Sequence, residues 1–190
     1  NLGLNAVTAV GWSMGVSILL KLFQQPLPLI DSCIFISGTP SFVTRDDYPC
    51  GVPRTVVQRL HRQVSRNYPA GLENFYSLLF TEEERRALQD SAGYALVVNS
   101  RHAPAQAAAL ESLECLAAED LRPSLAHITV PTLLIHGSDD RVCVPAAARY
   151  MQEHIRGSRL LNLQGAGHVP FLTRCDTVSA AIRELLEKNV

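Results

Sequence analysis

The stretch Gly11-Trp12-Ser13-Met14-Gly15 joins an apolar run at residues 6–10 to a helical pattern at residues 16–23, and no other feature of the chain limits its fold as sharply. A strand that becomes a helix within so few residues must bend hard, and glycine on both sides leaves room where side chains would clash. The residue at the apex is a serine, pushed clear of the backbone beside the first turn of the helix. That placement makes Ser13 a candidate nucleophile. A helix N-cap would also account for a serine ahead of an apolar helix, but a cap needs no glycine two residues away on each side.

Two later segments supply the partners a serine nucleophile requires. Residues 131–135 form an apolar strand that runs into His136-Gly137-Ser138-Asp139-Asp140, so a carboxylate stands at a strand tip. Residues 160–163 lead into Gly165-Ala166-Gly167-His168, which sets an imidazole in a glycine-rich loop. The order Ser, Asp, His, each just past the C-terminal end of its own strand, is that of the α/β-hydrolase arrangement; the chymotrypsin and subtilisin orders differ. Asp139 and Asp140 both stand at the tip, and Asp140 could instead cap the helix starting near Pro145. The hydrolase pattern puts the acid three residues after the strand-ending glycine, here Gly137, which favours Asp140. His168, between Gly167 and Val169-Pro170, has little structural reason to be there. His61, His102, His127, His136 and His154 lack such a setting and read as structural or solvated.

The chain of 190 residues is long enough for one well-packed domain, with 47% apolar residues. Its 17 basic and 18 acidic residues balance to a net charge of -1, too even to suggest nucleic acid or a membrane surface as partner. No apolar run approaches the roughly 18 residues of a membrane span, and no basic-then-apolar leader opens the chain. The cysteines, Cys33, Cys50, Cys115, Cys143 and Cys175, are scattered without C-x-x-C or metal-ligand spacing. Reduced thiols in a cytoplasmic monomer without metal are the expectation.

The organisation along the chain is α/β. Residues 1–38 read as strand, helix, strand, at 5–10, 16–23 and 33–37, the unit from which parallel sheets are built. Residues 128–190 resume the alternation with strands at 130–136 and 159–163 and helices at 146–154 and 178–187. Between them, residues 39–127 carry short helical patterns at 54–66, 70–80, 82–90 and 105–116 and no convincing strand. A helical insertion at this point is where the hydrolase fold commonly carries a lid over the C-terminal edge of a mostly parallel sheet.

Three segments give a more specific likeness: the elbow itself, Ser37-Gly38-Thr39-Pro40-Ser41-Phe42-Val43-Thr44-Arg45-Asp46-Asp47-Tyr48-Pro49, and Gly167-His168-Val169-Pro170-Phe171. In these the chain resembles the pimeloyl-acyl-carrier-protein methyl ester esterases of biotin synthesis, the BioH type. The resemblance implies hydrolysis of the methyl ester of a pimeloyl chain on its acyl-carrier protein, without metal or organic cofactor. It implies Ser13 as nucleophile, His168 as general base and then acid, and Asp140 as the group supporting the imidazolium. The backbone N–H of Met14, just past the nucleophile, would be one oxyanion donor. Trp12 would line the pocket beside the ester, and Phe75, Leu78 and Leu79 match a stretch that touches the acyl chain. The other account of those three is a helix burying them in the segment's own small core.

An acidic carrier calls for a basic face. Arg59, Arg62 and Arg66 fall on one side of a helix, and Arg85 and Arg86 add to them, although Glu82-Glu83-Glu84 precede; a solvated charged face explains the same pattern. Relative to the family, the positions around Ala70 and Asn74 lack arginines. The strand before the elbow is the fifth of the usual fold, so the first strands and the loop with the second oxyanion donor are missing, and the chain reads as a C-terminal fragment with an apolar strand edge laid open. Two other functions fit: a general carboxylesterase or a lipid or lactone hydrolase with the same triad, and a non-catalytic binding module.

Overall fold

The computed structural model describes residues 6–27, 29–98 and 103–188; the expected strand start at Asn5, and His102, lie outside them. Four parallel strands, β1 (Val7–Trp12), β2 (Ile30–Ile36), β3 (Thr132–Gly137) and β4 (Arg159–Leu163), lie in the order β1-β2-β3-β4. Register decides where the loops go. Trp12 pairs with Ile36, Ile36 with Ile135, and Gly137 with Leu163, so the C-terminal ends are level and the turns that follow share one edge.

β2 and β3 are buried on both faces, and their alternation sorts the core into two layers. Cys33, Phe35 and Leu134 face Val16 and Leu20 of α1 (Met14–Leu22) and Met151 of α7 (Pro145–His154). Ile34, Ile36, Leu133 and Ile135 face the other way, onto Val178 and Ile182 of α9 (Cys175–Lys188). Each such side chain contributes about 1.5–3 kcal/mol by leaving water.

β1 stands at the edge of the sheet and presents the open apolar edge expected of it, with Val10 57% exposed, beside Ile18 at 55% and Leu22 at 49%. Apolar composition records what a strand can bury, whereas burial itself needs a layer on each side.

Between β2 and β3 the chain is helical, as the patterns indicate. α2 (Arg54–Arg66) has the expected bounds. α3 (Tyr68–Tyr76) starts earlier than its pattern, because Asn67 caps it by accepting the Ala70 N–H, and it stops sooner, at Tyr76. α4 (Glu82–Leu88) begins in a capping box of Thr81 and Glu84, and α6 (Gln106–Ala118) follows the fourth pattern. Three short pieces escape sequence reading: α5 (Ala92–Val98), a 3-10 turn at Arg122–His127, and α8 (Pro170–Thr173). α5 has no charged residue to mark an outer face, so it carries no helical period. The segment's ends are tied together, with Leu121 N–H donating to the Pro40 carbonyl and Arg45 to that of Glu119. Among the described residues no helix is long and apolar enough to cross a membrane.

Candidate active site

Ser13 sits between β1 and α1 at φ 53 and ψ -121, a left-handed φ that a non-glycine residue rarely adopts. Its side chain makes no cap bond to α1. The two glycines of the elbow differ. A Cβ on Gly11 would lie 2.8 Å from the Gly15 carbonyl carbon and 2.9 Å from Leu19, so the helix could not approach the strand. A Cβ on Gly15 would meet nothing within 4 Å, contrary to the expected clash, because Gly15 borders open cavity space.

From Ser13 a hydrogen-bonded chain runs through the other two strand tips. Ser13 Oγ lies 2.8 Å from His168 Nε2, and His168 Nδ1 lies 2.8 Å from Asp140 Oδ2. The carboxylate's second oxygen accepts the N–H groups of Val142 and Cys143, at 2.8 and 2.9 Å. Because a carboxylate can only accept, His168 carries its proton on Nδ1, and Nε2 is left to receive the proton of Ser13. Asp139 stands apart, exposed, accepting from the Ser138 hydroxyl at 2.7 Å.

A second histidine, His136 of β3, completes the shell of Asp140. Its Nε2 donates to the Cys143 carbonyl at 2.8 Å and lies 3.3 Å from Asp140 Oδ2. Burial pushes the Asp140 carboxyl up, but the hydrogen bond from His168, the electrostatic pull of His168 and His136 and the Cys143 N–H outweigh it and hold the group below the usual carboxylate range. Burial likewise holds His136 below the ordinary histidine value, against the upward pull of Asp140. The sequence offers no signal for this contact, since a lone histidine in an apolar strand reads as packing.

The backbone of His168 is held from two directions. Its carbonyl accepts from Trp12 Nε1 at 2.9 Å, and its N–H donates to the Leu79 carbonyl at 2.8 Å. Trp12 also stacks edge-on against Phe171, with ring centroids 5.2 Å apart. Met14 opens α1, and its amide belongs to the first-turn N–H groups that a helix leaves without an internal acceptor.

Above these residues lies a cavity of about 720 Å³, floored by Trp12, Ser13, Met14 and His168 and walled by Leu60 and Val64 of α2, Phe75 and Leu79, and Leu113 and Leu116 of α6. None of the described residues lining it is Lys, Arg, Asp or Glu. Of the three expected acyl-chain contacts, Phe75 and Leu79 therefore line the space; Leu78 packs against the neighbouring cluster of Leu79, Phe80 and Val169. Among the described residues no group of His, Cys, Asp and Glu is gathered to hold a metal. Arg59, Arg62 and Arg66 are exposed on α2 and make no ion pair with a described residue. Arg85 and Arg86 instead share Glu82, at 2.7 and 3.0 Å.

A parallel sheet with a serine at a strained strand-to-helix turn and an Asp-His pair on the next two tips defines a hydrolase architecture. Residues 1–174 match the family model described as alpha/beta hydrolase fold, and the chain belongs to that family. It is 31% identical over 185 residues to a pimeloyl-acyl-carrier-protein methyl ester esterase of Xylella fastidiosa, covering 93% of this chain and 69% of the relative. A protein of the same name from Nitrosomonas europaea is 30% identical over 165 residues, covering 86% of this chain and 64% of the relative. Among solved structures, an esterase of Exiguobacterium antarcticum superposes with a TM-score of 0.86 at 31% identity, over 98% of this chain and 68% of that one. A bromoperoxidase of Bacillus anthracis superposes with a TM-score of 0.88 over 98% of this chain and 69% of its own, and at 22% identity bears on the fold alone.

Proposed function

We propose that the chain carries the Ser-His-Asp site of an esterase that hydrolyses the methyl ester of a pimeloyl chain borne on an acyl-carrier protein. Residues 1–38 and 128–190 form its core, and residues 39–127 its lid. The observation that carries this reading is the pair of 2.8 Å contacts linking Ser13, His168 and Asp140 at the floor of an uncharged cavity. Ser13 Oγ attacks the ester carbonyl while its proton passes to His168 Nε2, and the Met14 N–H receives the developing oxyanion. The imidazolium, supported by ionised Asp140, returns the proton to the departing methoxide, and methanol leaves an acyl-enzyme. Water then gives its proton to His168 and cleaves the acyl-Ser13 bond, which frees the carboxylate and restores the serine.

The apolar walls suit an acyl chain. The names of the relatives and the exposed arginines of α2 support a carrier as its bearer, because Leu60 and Val64 of the same helix wall the cavity. A carrier-independent carboxylesterase is the second reading; the likeness to an esterase and the pairing of Arg85 and Arg86 with Glu82 favour it. Scattered thiols without disulfide spacing support a cytoplasmic location.

The triple change Arg59→Glu, Arg62→Glu and Arg66→Glu separates the two readings. On a carrier-bound methyl ester it is expected to depress kcat/KM through slower association. The loss should shrink with salt, since exposed charges more than about 8–10 Å apart are screened at physiological ionic strength. A short p-nitrophenyl ester should be hydrolysed as before. No loss on the carrier-bound ester leaves the carrier-independent esterase; equal loss on both substrates means a damaged lid. Failure of Ser13 to take a fluorophosphonate label would leave a binding module.

A further inference from the structure

One carboxylate of the helical segment reaches well beyond its own helix. Glu84 is only 4% exposed, and its Oε2 accepts the Thr81 N–H at 2.9 Å while Thr81 Oγ1 accepts the Glu84 N–H at 3.2 Å. That box satisfies the start of α4 and would do so equally well at a surface. The same carboxylate also accepts the N–H of Gly167, 3.1 Å from Oε1 and 3.0 Å from Oε2. No cation stands within ion-pair distance of it among the described residues, so its lone pairs are met by backbone N–H groups from two separate parts of the chain. The approach is close. A Cβ on Gly167 would come 2.8 Å from Glu84 Oε2 and 2.9 Å from the Leu79 carbonyl oxygen, which restricts this position to glycine.

We propose that Glu84 is a positioning residue for His168, an inference that rests on reading His168 as the base. Gly167 immediately precedes His168, and the His168 N–H is itself bound to Leu79. Two successive amides of the histidine loop are therefore fastened to residues 79–84, while Trp12 holds the peptide that follows. The imidazole must meet Ser13 and Asp140 at 2.8 Å on opposite edges of one ring, so a shift of its backbone cannot keep both contacts at that length. Through Glu84 the catalytic geometry depends on the seating of the helical segment, and not on the sheet alone.

Glu84→Gln tests this, because it keeps the volume but turns an amide NH2 toward backbone donors. Thr81→Ala is its control: it breaks the other half of the capping box and leaves the carboxylate on Gly167. Both are to be measured for kcat and KM on a short p-nitrophenyl ester, for the rate of fluorophosphonate labelling of Ser13, and for melting temperature. Glu84→Gln is expected to lower kcat and the labelling rate about 10- to 100-fold, since a misplacement near 1 Å costs that much, with KM within about twofold. Thr81→Ala should lose melting temperature while kcat stays within about twofold. Wild-type kcat in Glu84→Gln, or kcat losses in both variants that simply follow their melting temperatures, overturns the proposal. If Glu84→Gln does not fold, Glu84→Asp retains the charge but draws it back from Gly167; reduced kcat at native ellipticity supports the positioning role and unchanged kcat refutes it. Ser13→Ala and His168→Ala run alongside. Turnover surviving in those would sink the reading of the site itself, whereas their inactivity beside a normal Glu84→Gln would sink only the role of Glu84.

Discussion

Replacing Asp140 by asparagine changes one atom, and the structure fixes which way the new amide must turn. Asp140 Oδ1 accepts two backbone N–H groups, of Val142 and Cys143, and an NH2 there would face two immovable donors. The amide nitrogen is therefore driven to the Oδ2 position, opposite His168 Nδ1. To accept from it, the imidazole must move its proton to Nε2, which then points a hydrogen at Ser13 Oγ and cannot take one from it. The proton acceptor is lost while the fold is kept. An unassisted serine leaves a kcat lower by about 10⁴-fold, or about 5 kcal/mol in the barrier. Asp139→Asn, at an exposed side chain whose hydrogen-bond partner among the described residues is Ser138, should stay within about twofold of wild type. Steady-state hydrolysis of a p-nitrophenyl ester, with ellipticity and melting temperature as checks on folding, measures both. Comparable losses in the two variants, or an Asp140→Asn enzyme retaining a tenth of its activity, would refute the orientation argument.

Two further outcomes follow from backbone strain and burial. Ser13→Gly should abolish turnover yet melt higher than the equally inactive Ser13→Ala, because φ 53 at Ser13 stores about 1–3 kcal/mol that glycine releases; a lower melting temperature for the glycine variant contradicts a strained elbow. His136, held below the ordinary histidine value by burial, is neutral when folded and takes up a proton on unfolding. Its contribution is complete above about pH 6.5 and is lost as pH falls below that value, so His136→Gln should flatten the melting temperature against pH there. Parallel slopes in the two proteins would remove His136 as the cause.

The residues that the structure brings together, Ser13, Asp140 and His168, were legible because each sits where an apolar run meets a glycine, a signal contained within ten residues. α2 was legible for a similar reason, with Pro53 ahead of it and Val57, Leu60 and Val64 repeating at helical spacing. What sequence could not supply is the neighbour across space. Gly15 belongs to the motif yet meets no steric demand. The capping pair Thr81 and Glu84 can be read from the chain. The third partner, Gly167, lies 83 positions away, where no periodicity reaches.

The contacts around His168 also bear on how active molecules come to exist. Ser13 and His168 are separated by 155 positions, Trp12 and His168 by 156. Doubling a loop adds only about 0.6 kcal/mol to its closure, so such spans cost little in final stability, but they delay the contacts that depend on them. The sheet can pair β1 with β2 while the histidine loop is still undocked. A substitution that hinders docking of β4 and the loop after it would then reduce the number of competent sites in a preparation without altering the turnover of those that form. Rates referred to total protein would record this as weak catalysis; rates referred to titrated Ser13 would record it as incomplete maturation.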